Sequence, residues 1–132
     1  MARILIVDDD PDIVKMIVRR LQHANHKAHG VSSGAEATSF VAEMGPPDVV
    51  VLDVDMPDVT GLELLSLLRH QTGTADLPAI FLSSRMRPDD IAAGRELDAV
   101  YLTKPFVGTA LLGAIDKVLE AHEKRHTVTE EW

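Results

Sequence analysis

Apolar and polar positions follow two different periods along the chain, and their succession predicts five strand and helix pairs. Short, mostly apolar runs predict buried strands, whereas apolar residues at every third or fourth position predict amphipathic helices. Strands are expected at Arg3–Val7, Lys27–Val31, Asp48–Leu52, Ala79–Leu82 and Ala99–Thr103, the second being the weakest pattern. Strands without internal alternation are buried on both faces, so the pattern predicts an α/β domain with a parallel sheet between helices.

Capping residues indicate where the helices begin. Pro11 suits the first turn of a helix capped by Asp10, Ser33 and Glu36 form a capping-box pattern, and Pro88 opens a helix to about Glu96. The apolar stripes expected to face the sheet are Ile13, Met16, Ile17 and Leu21; Ala37, Phe40, Val41 and Met44; Leu64, Leu65 and Leu68 in a helix from Leu62 to His70; and Leu111, Leu112, Ile115, Val118 and Leu119.

Composition narrows the class of protein. The chain has 132 residues, no cysteine and a formal net charge of −8, which predicts one domain without disulfides or thiolate metal sites. The acidic balance disfavours direct nucleic-acid binding, and no apolar run approaches a membrane span. We expect one cytoplasmic domain over residues 1–121, with residues 122–132 as a polar helix extension or tail. No effector-domain pattern follows Ala121, so we expect a stand-alone unit or the front of a longer protein.

Charged residues stand where three of the predicted strands end. Asp8, Asp9 and Asp10 follow the first strand, Asp53 follows the third, and Lys104 follows the fifth. Parallel strands place their carboxyl ends at one edge, where open α/β sheets bind ligands. The sequence therefore predicts a site in which several carboxylates meet one lysine.

The sequence resembles the receiver domain of a bacterial two-component response regulator, of the chemotaxis-regulator-like, flavodoxin-like type, from about Arg3 to Ala121. The matching segments are Ile4-Leu5-Ile6-Val7-Asp8-Asp9, Asp53-x-x-Met56-Pro57 with Gly61 following, Leu82-Ser83-Ser84, and Tyr101-Leu102-Thr103-Lys104-Pro105-Phe106. The resemblance implies a doubly wound (βα)5 fold with five parallel strands in the order 2-1-3-4-5.

The residues themselves fit phosphoryl transfer. A carboxylate such as Asp53 can attack phosphorus to give an aspartyl phosphate. Asp8 and Asp9 beside it need a cation, because each like-charged pair about 4 Å apart costs on the order of 4 kcal/mol at an effective dielectric near 20. Mg²⁺, with Mn²⁺ as a substitute, would remove that repulsion.

The resemblance also implies a role for each residue of the metal site. Asp9 and Asp53 would contact the metal, Asp8 would act through water, and Asp55 would lend its backbone carbonyl. The Asp55 side chain and Arg85 would flank the path of the attacking water, and we expect the pair to slow hydrolysis of the phosphoryl group.

For the remaining residues, the resemblance implies catalysis and switching. Lys104 would place a charge on the phosphoryl oxygens, and Ser83 would donate its hydroxyl and act as a switch. Tyr101 is either the second switch residue or a core residue of the edge strand. In the family the Lys104–Pro105 bond is cis.

The implied partners are a sensor histidine kinase or a histidine phosphotransfer protein, and a downstream effector that the sequence does not name. Family members often dimerise through acidic residues just before the aromatic switch residue. Here Ala99 and Val100 stand in those positions, and Leu97 replaces a common glycine. We therefore expect no charge-paired dimer on this face.

Two other functions could use the same acidic residues. A haloacid-dehalogenase-like phosphatase would use Asp53-Val54-Asp55 as nucleophile and acid, but here Met56-Pro57 follows, and such enzymes carry their further acidic residues later in the chain and have a cap domain. A receiver-like interaction scaffold that is not phosphorylated would be expected to lack the nucleophile, an acidic partner or the lysine, all of which this sequence contains.

Overall fold

Five parallel strands form one sheet between two layers of helices. The computed structural model describes residues 2–84, 92, 99–104 and 108–130, with side chains as far as residue 123. The strands are β1 (Arg3–Val7), β2 (Lys27–Val31), β3 (Val49–Asp53), β4 (Ala79–Ser83) and β5 (Val100–Thr103); the helices are α1 (Pro11–His23), α2 (Gly34–Met44), α3 (Gly61–Thr72) and a C-terminal helix (Gly108–Glu130). The strand order β2-β1-β3-β4-β5 confirms the predicted topology.

Some sequence predictions fall outside the described ranges. The helix expected from Pro88 to Glu96 is described only at Ala92, which is helical, and Arg85, Leu97 and Pro105 are not described. The C-terminal helix includes residues 122–130, for which an extension or a tail was expected. None of the helices in the described ranges has both the length and the apolar character needed to cross a bilayer.

Alternate residues of the central strands point into two separate cores. In β1, Leu5 packs with α2 and α3, while Ile6 packs with α1 and the C-terminal helix. In β3, Val50 and Val51 divide in the same way. Every residue of β3 and β4 is buried, as the unbroken apolar patterns predict for strands covered on both faces.

Helices α1 and α2 begin at the predicted caps. The Asp10 carboxylate accepts a hydrogen bond from the Asp12 amide at 3.0 Å, ahead of Pro11. The Ser33 hydroxyl accepts from the Glu36 amide at 3.1 Å. The second hydrogen bond of the capping box differs from the usual pattern. The Glu36 carboxylate accepts from the hydroxyl of Ser32 at 2.9 Å.

Two methionines were wrongly assigned to the buried stripes. Met16 in α1 is 55% exposed and Met44 in α2 is 60% exposed. In α1 the sheet-facing place is taken by Val14, which lies so close to Gly30 of β2 that a Cβ there would be 2.1 Å from a Val14 methyl carbon. The helix is therefore rotated toward the β2 edge, and Met16 faces solvent.

Helix α3 starts directly over the end of β3. The Gly61 amide donates to the Val54 carbonyl at 2.9 Å, and a Cβ at position 61 would lie 2.5 Å from the carbonyl oxygen of Asp53. That neighbour is backbone and cannot rotate away. Position 61 is therefore limited to glycine unless the chain around Asp53 shifts.

We predict opposite effects for alanine at two helical glycines. Gly61→Ala should destabilise the protein by about 1–3 kcal/mol, because its Cβ overlaps backbone. Gly113→Ala is the matched control: its Cβ would meet nothing within 4 Å, so it should stabilise by about 0.5–1 kcal/mol. Urea unfolding measures both, and a Gly61→Ala protein as stable as wild type would contradict the close approach.

Candidate functional site

Strand register brings two aspartates side by side at the carboxyl edge of the sheet. Val7 of β1 pairs with Leu52 of β3. The residues that follow this pair, Asp8 and Asp53, therefore lie side by side. Asp53 is itself the last residue of β3, one residue beyond the predicted end of that strand. The first and third strands thus deliver their carboxylates to the same place.

Lys104 reaches the same edge from β5, which lies on the side of β3 away from β1. Ser83 of β4 pairs with Thr103 of β5, and the amide of Lys104 donates to the Ser83 carbonyl at 2.7 Å. The bond continues the ladder by one residue past the strand. It fixes the backbone from which the lysine side chain extends toward β3 and β1.

Lys104 bridges the two buried carboxylates. Its Nζ lies 2.8 Å from Asp8 Oδ2 and 3.5 Å from Asp53 Oδ1. Asp8 is fully buried and Asp53 is 5% exposed. Amides of the following turns complete the pairing: Asp10 donates to Asp8 Oδ1 at 3.0 Å, and Asp55 donates to Asp53 Oδ1 at 3.3 Å. Backbone amides and the Lys104 side chain therefore together hold the two carboxylates in place.

A third carboxylate joins the pair at the surface. Asp9 is exposed, and carboxylate oxygens of Asp8, Asp9 and Asp53 lie within 4.8 Å of one another. Lys104 supplies one positive charge against these three carboxylates. Hard oxygen donors gathered at an open edge are the ligands that Mg²⁺ prefers, so the residues present fit a divalent cation.

The electrostatics of the site act most strongly on Asp53. Burial, and after it the nearby charge of Asp8, raise the pKa of its carboxyl group from an ordinary 3.8 to about 7, against the opposing effect of Lys104. A hydrogen bond with Asp9 acts in the same direction as burial. Asp53 is thus poised to exchange a proton, or to take a cation, near neutral pH.

At Lys104, burial and the nearby charges act on the pKa in opposite directions. Burial alone lowers the pKa of its ammonium group, but the hydrogen bond and charge of Asp8, together with Asp53, outweigh burial and raise the pKa above its ordinary value. The lysine therefore remains protonated throughout the physiological range. A permanent positive charge stands next to the buried carboxylates.

The remaining predicted site residues lie around this centre. Ser83 is 1% exposed at the end of β4, and Asp55 is exposed in the loop after β3. Tyr101 is half-buried on β5, where its ring packs against Phe81 with centroids 5.1 Å apart. Tyr101 therefore contributes to the core in this conformation, which agrees with one of its two expected roles and does not test the other.

One contact of the loop after β3 has no recognisable pattern in the sequence. The Asp58 carboxylate accepts hydrogen bonds from the amides of Gly34 and Ala35, at 3.3 and 3.2 Å, at the start of α2. Its partners lie 24 and 23 residues earlier in the chain. A capping residue is recognised by its local spacing, so an aspartate that caps a distant helix leaves no local pattern.

Comparison with known proteins identifies the family. The model of the response regulator receiver domain matches residues 4–116. The chain belongs to this family. Transcriptional regulatory protein PrrA of Mycobacterium tuberculosis is 35% identical over 130 residues, which cover 98% of this chain and 54% of PrrA. The chain spans about half the length of that curated relative.

Solved receiver structures share the fold. Chemotaxis protein CheY4 of Vibrio cholerae superposes with a TM-score of 0.83 at 32% identity, covering 90% of this chain and 99% of that chain. A BeF3-activated DrrB receiver domain gives a TM-score of 0.77 at 30% identity, covering 91% and 98%. This receiver is accordingly a signalling domain of the two-component class.

The raised pKa of Asp53 predicts a stability change with pH in the absence of divalent cations. Between about pH 4 and 7 the folded chain retains a proton that the unfolded chain has lost, so stability falls as pH rises through this window. Asp53→Asn removes the buried charge and should be more stable than wild type at pH 8 by about 1–3 kcal/mol. The difference should shrink toward pH 4.

Urea unfolding in EDTA at several pH values measures this effect. Asp12→Asn serves as the control, since it removes an exposed carboxylate outside the cluster, and an effect that it shares with Asp53→Asn would not come from the burial of Asp53. Equal stability of Asp53→Asn and wild type at pH 8 would show that the buried carboxylate carries no such penalty.

Proposed function

We propose that this receiver accepts a phosphoryl group on Asp53 from a phosphohistidine of a sensor histidine kinase or histidine phosphotransfer protein. The observation that carries the proposal is the buried Asp53 carboxylate beside Asp8 and Asp9, with the Lys104 ammonium 3.5 Å away. A nucleophile, a cation and additional oxygen ligands are thereby gathered at one accessible edge. Response regulators work with sensor histidine kinases, and the family match supports the same type of partner here.

The reaction requires Asp53 in its ionised form. One carboxylate oxygen attacks phosphorus, the bond from phosphorus to the imidazole nitrogen breaks, and that nitrogen keeps the electron pair and takes a proton. Lys104 stabilises the ionised carboxylate and faces the negative phosphoryl oxygens. Buried Ser83 adds a hydroxyl donor at the neighbouring strand end. Positioning and charge stabilisation supply most of the catalysis in phosphoryl transfer.

The acidic cluster would hold Mg²⁺. Asp9 and Asp53 would contact the ion, Asp8 would act through water, and Asp55 would offer its backbone carbonyl. Bound Mg²⁺ would offset the negative charges of the carboxylates and of the phosphoryl oxygens. Asp9 is exposed, so its carboxylate can turn toward the ion, whereas Asp8 and Asp53 are fixed by burial and by hydrogen bonds from backbone amides.

The output of the receiver is proposed to depend on Ser83 and Tyr101. Ser83 ends β4, and Tyr101 lies on the neighbouring edge strand β5, which leads to Lys104. A change in Ser83 on phosphorylation would therefore be passed to Tyr101 through the adjacent strand. The receiver unit would be residues 1–121, located in the cytoplasm.

Phosphorylation should be lost when Asp53 is changed. We expect Asp53→Asn to abolish the mass gain of one phosphoryl group during incubation with acetyl phosphate and Mg²⁺, because an amide oxygen is a poor nucleophile. Asp9→Ala should keep the nucleophile but weaken Mg²⁺ binding by about 10-fold or more. Intact-mass spectrometry and calorimetric titration measure the two effects.

The controls for this experiment also separate the other classes of function. Asp12→Ala removes an exposed aspartate of α1 outside the cluster and should label like wild type. Normal labelling of Asp53→Asn would disprove the assignment. Rapid release of phosphate from many substrates would indicate a hydrolase, and no labelling of the wild type would indicate an interaction scaffold.

Activation should not produce a charge-paired dimer. Ala99 and Val100 precede Tyr101 without a carboxylate, so an association on this face would lack electrostatic register. We predict that beryllofluoride with Mg²⁺ changes the NMR signals of Tyr101 without forming such a dimer. Sedimentation with and without beryllofluoride tests this, and a tight dimer that dissociates in added salt would refute it.

A further inference from the structure

The loop between β3 and α3 is attached to the fold at two separate places. At its base, the Gly61 amide donates to the Val54 carbonyl at 2.9 Å and closes the loop. At its tip, the Asp58 carboxylate binds the first amides of α2 with both oxygens. Residue 55, whose carbonyl is proposed to face Mg²⁺, lies between these attachments.

The tip attachment is built from packing as well as hydrogen bonds. A Cβ at Gly34 would lie 2.3 Å from a methyl carbon of Val59 and 3.2 Å from an Asp58 oxygen. The absence of a side chain at Gly34 therefore lets the loop rest directly on the start of α2. The negative carboxylate also faces the positive end of the helix dipole.

Two residues accept hydrogen bonds from the free amides in the first turn of α2. Ser33 accepts from the Glu36 amide, as a local cap, while Asp58 accepts from Gly34 and Ala35. Removal of either residue leaves helix amides without their acceptor. Only the removal of Asp58 also releases the loop, so the two contributions can be separated by experiment.

We propose that Asp58 is a positioning residue for the phosphorylation site. By tying the loop tip to α2, Asp58 holds the segment that contains Asp55 against the acidic cluster and lowers the cost of ordering the Asp55 carbonyl around Mg²⁺. The same contact links the metal site to α2, so cation binding should tighten the start of that helix. This inference rests on the proposed function of Asp53 and extends it to a residue outside the cluster.

The test compares Asp58→Ala with Ser33→Ala in the full chain. Both variants remove acceptors from the same helix end, but Ser33→Ala leaves the loop attached. We expect Asp58→Ala to weaken Mg²⁺ binding by about tenfold, the lower end of the range for residues that orient metal ligands, and Ser33→Ala to change it by less than about twofold. Asp58→Asn, which retains one acceptor oxygen, should fall between Asp58→Ala and wild type.

A second readout follows the link in the other direction. In wild type, addition of Mg²⁺ should slow hydrogen exchange at the amides of Gly34 and Ala35, measured by NMR. In Asp58→Ala this slowing should disappear, whereas in Ser33→Ala it should persist. A role of Asp58 in helix stability alone would not produce this difference.

The outcomes distinguish this inference from the proposed function. If wild type neither binds Mg²⁺ nor labels with acetyl phosphate, the proposed function fails. If wild type does both, and Asp58→Ala binds Mg²⁺ like wild type or no more weakly than Ser33→Ala, the positioning role of Asp58 is overturned while the proposed function stands.

Discussion

Strand register holds two like-charged side chains, Asp8 and Asp53, next to each other, and the rest of the site depends on this constraint. The pairing of β1 with β3 leaves Asp8 and Asp53 no room to separate, because each follows a fully buried stretch of strand. Their repulsion requires a cation, and Lys104 supplies a single charge for both. Burial and the charge of Asp8 together raise the pKa of Asp53, and the shortage of positive charge among these carboxylates is the physical reason why they fit a divalent cation.

The surrounding loops hold the carboxylates of Asp8 and Asp53 close together. Amides of Asp10 and Asp55 hold the two carboxylates at their outer sides, and Gly61 brings α3 against the backbone of Asp53. A looser arrangement would let the charges turn outward to water and lose their effect on one another. Rigid backbone around Asp8 and Asp53 therefore keeps unfavourable charges in place.

Most of the fold could be predicted because its signals are local. Asp10 and Ser33 were recognised as caps from spacing alone, and unbroken apolar runs placed β3 and β4 in the interior. The meeting of Asp8, Asp53 and Lys104 followed from parallel topology. Met16 was misplaced, because a periodic stripe does not fix how a helix is rotated against its sheet. The Asp58 contact was missed, because its partners are remote in sequence.

The three charged residues stand on strands of unequal burial. β3 is buried throughout and lies inside the sheet, whereas β5 is an edge strand that is half-buried at best. Local opening costs least where burial is low and one side of a strand has no neighbour. The backbone of β5 should therefore fluctuate at lower free energy than that of β1 or β3. The lysine follows an edge strand and the aspartates stand at the ends of interior strands, so the charge balance can be altered by moving one edge of the sheet while the fold remains intact.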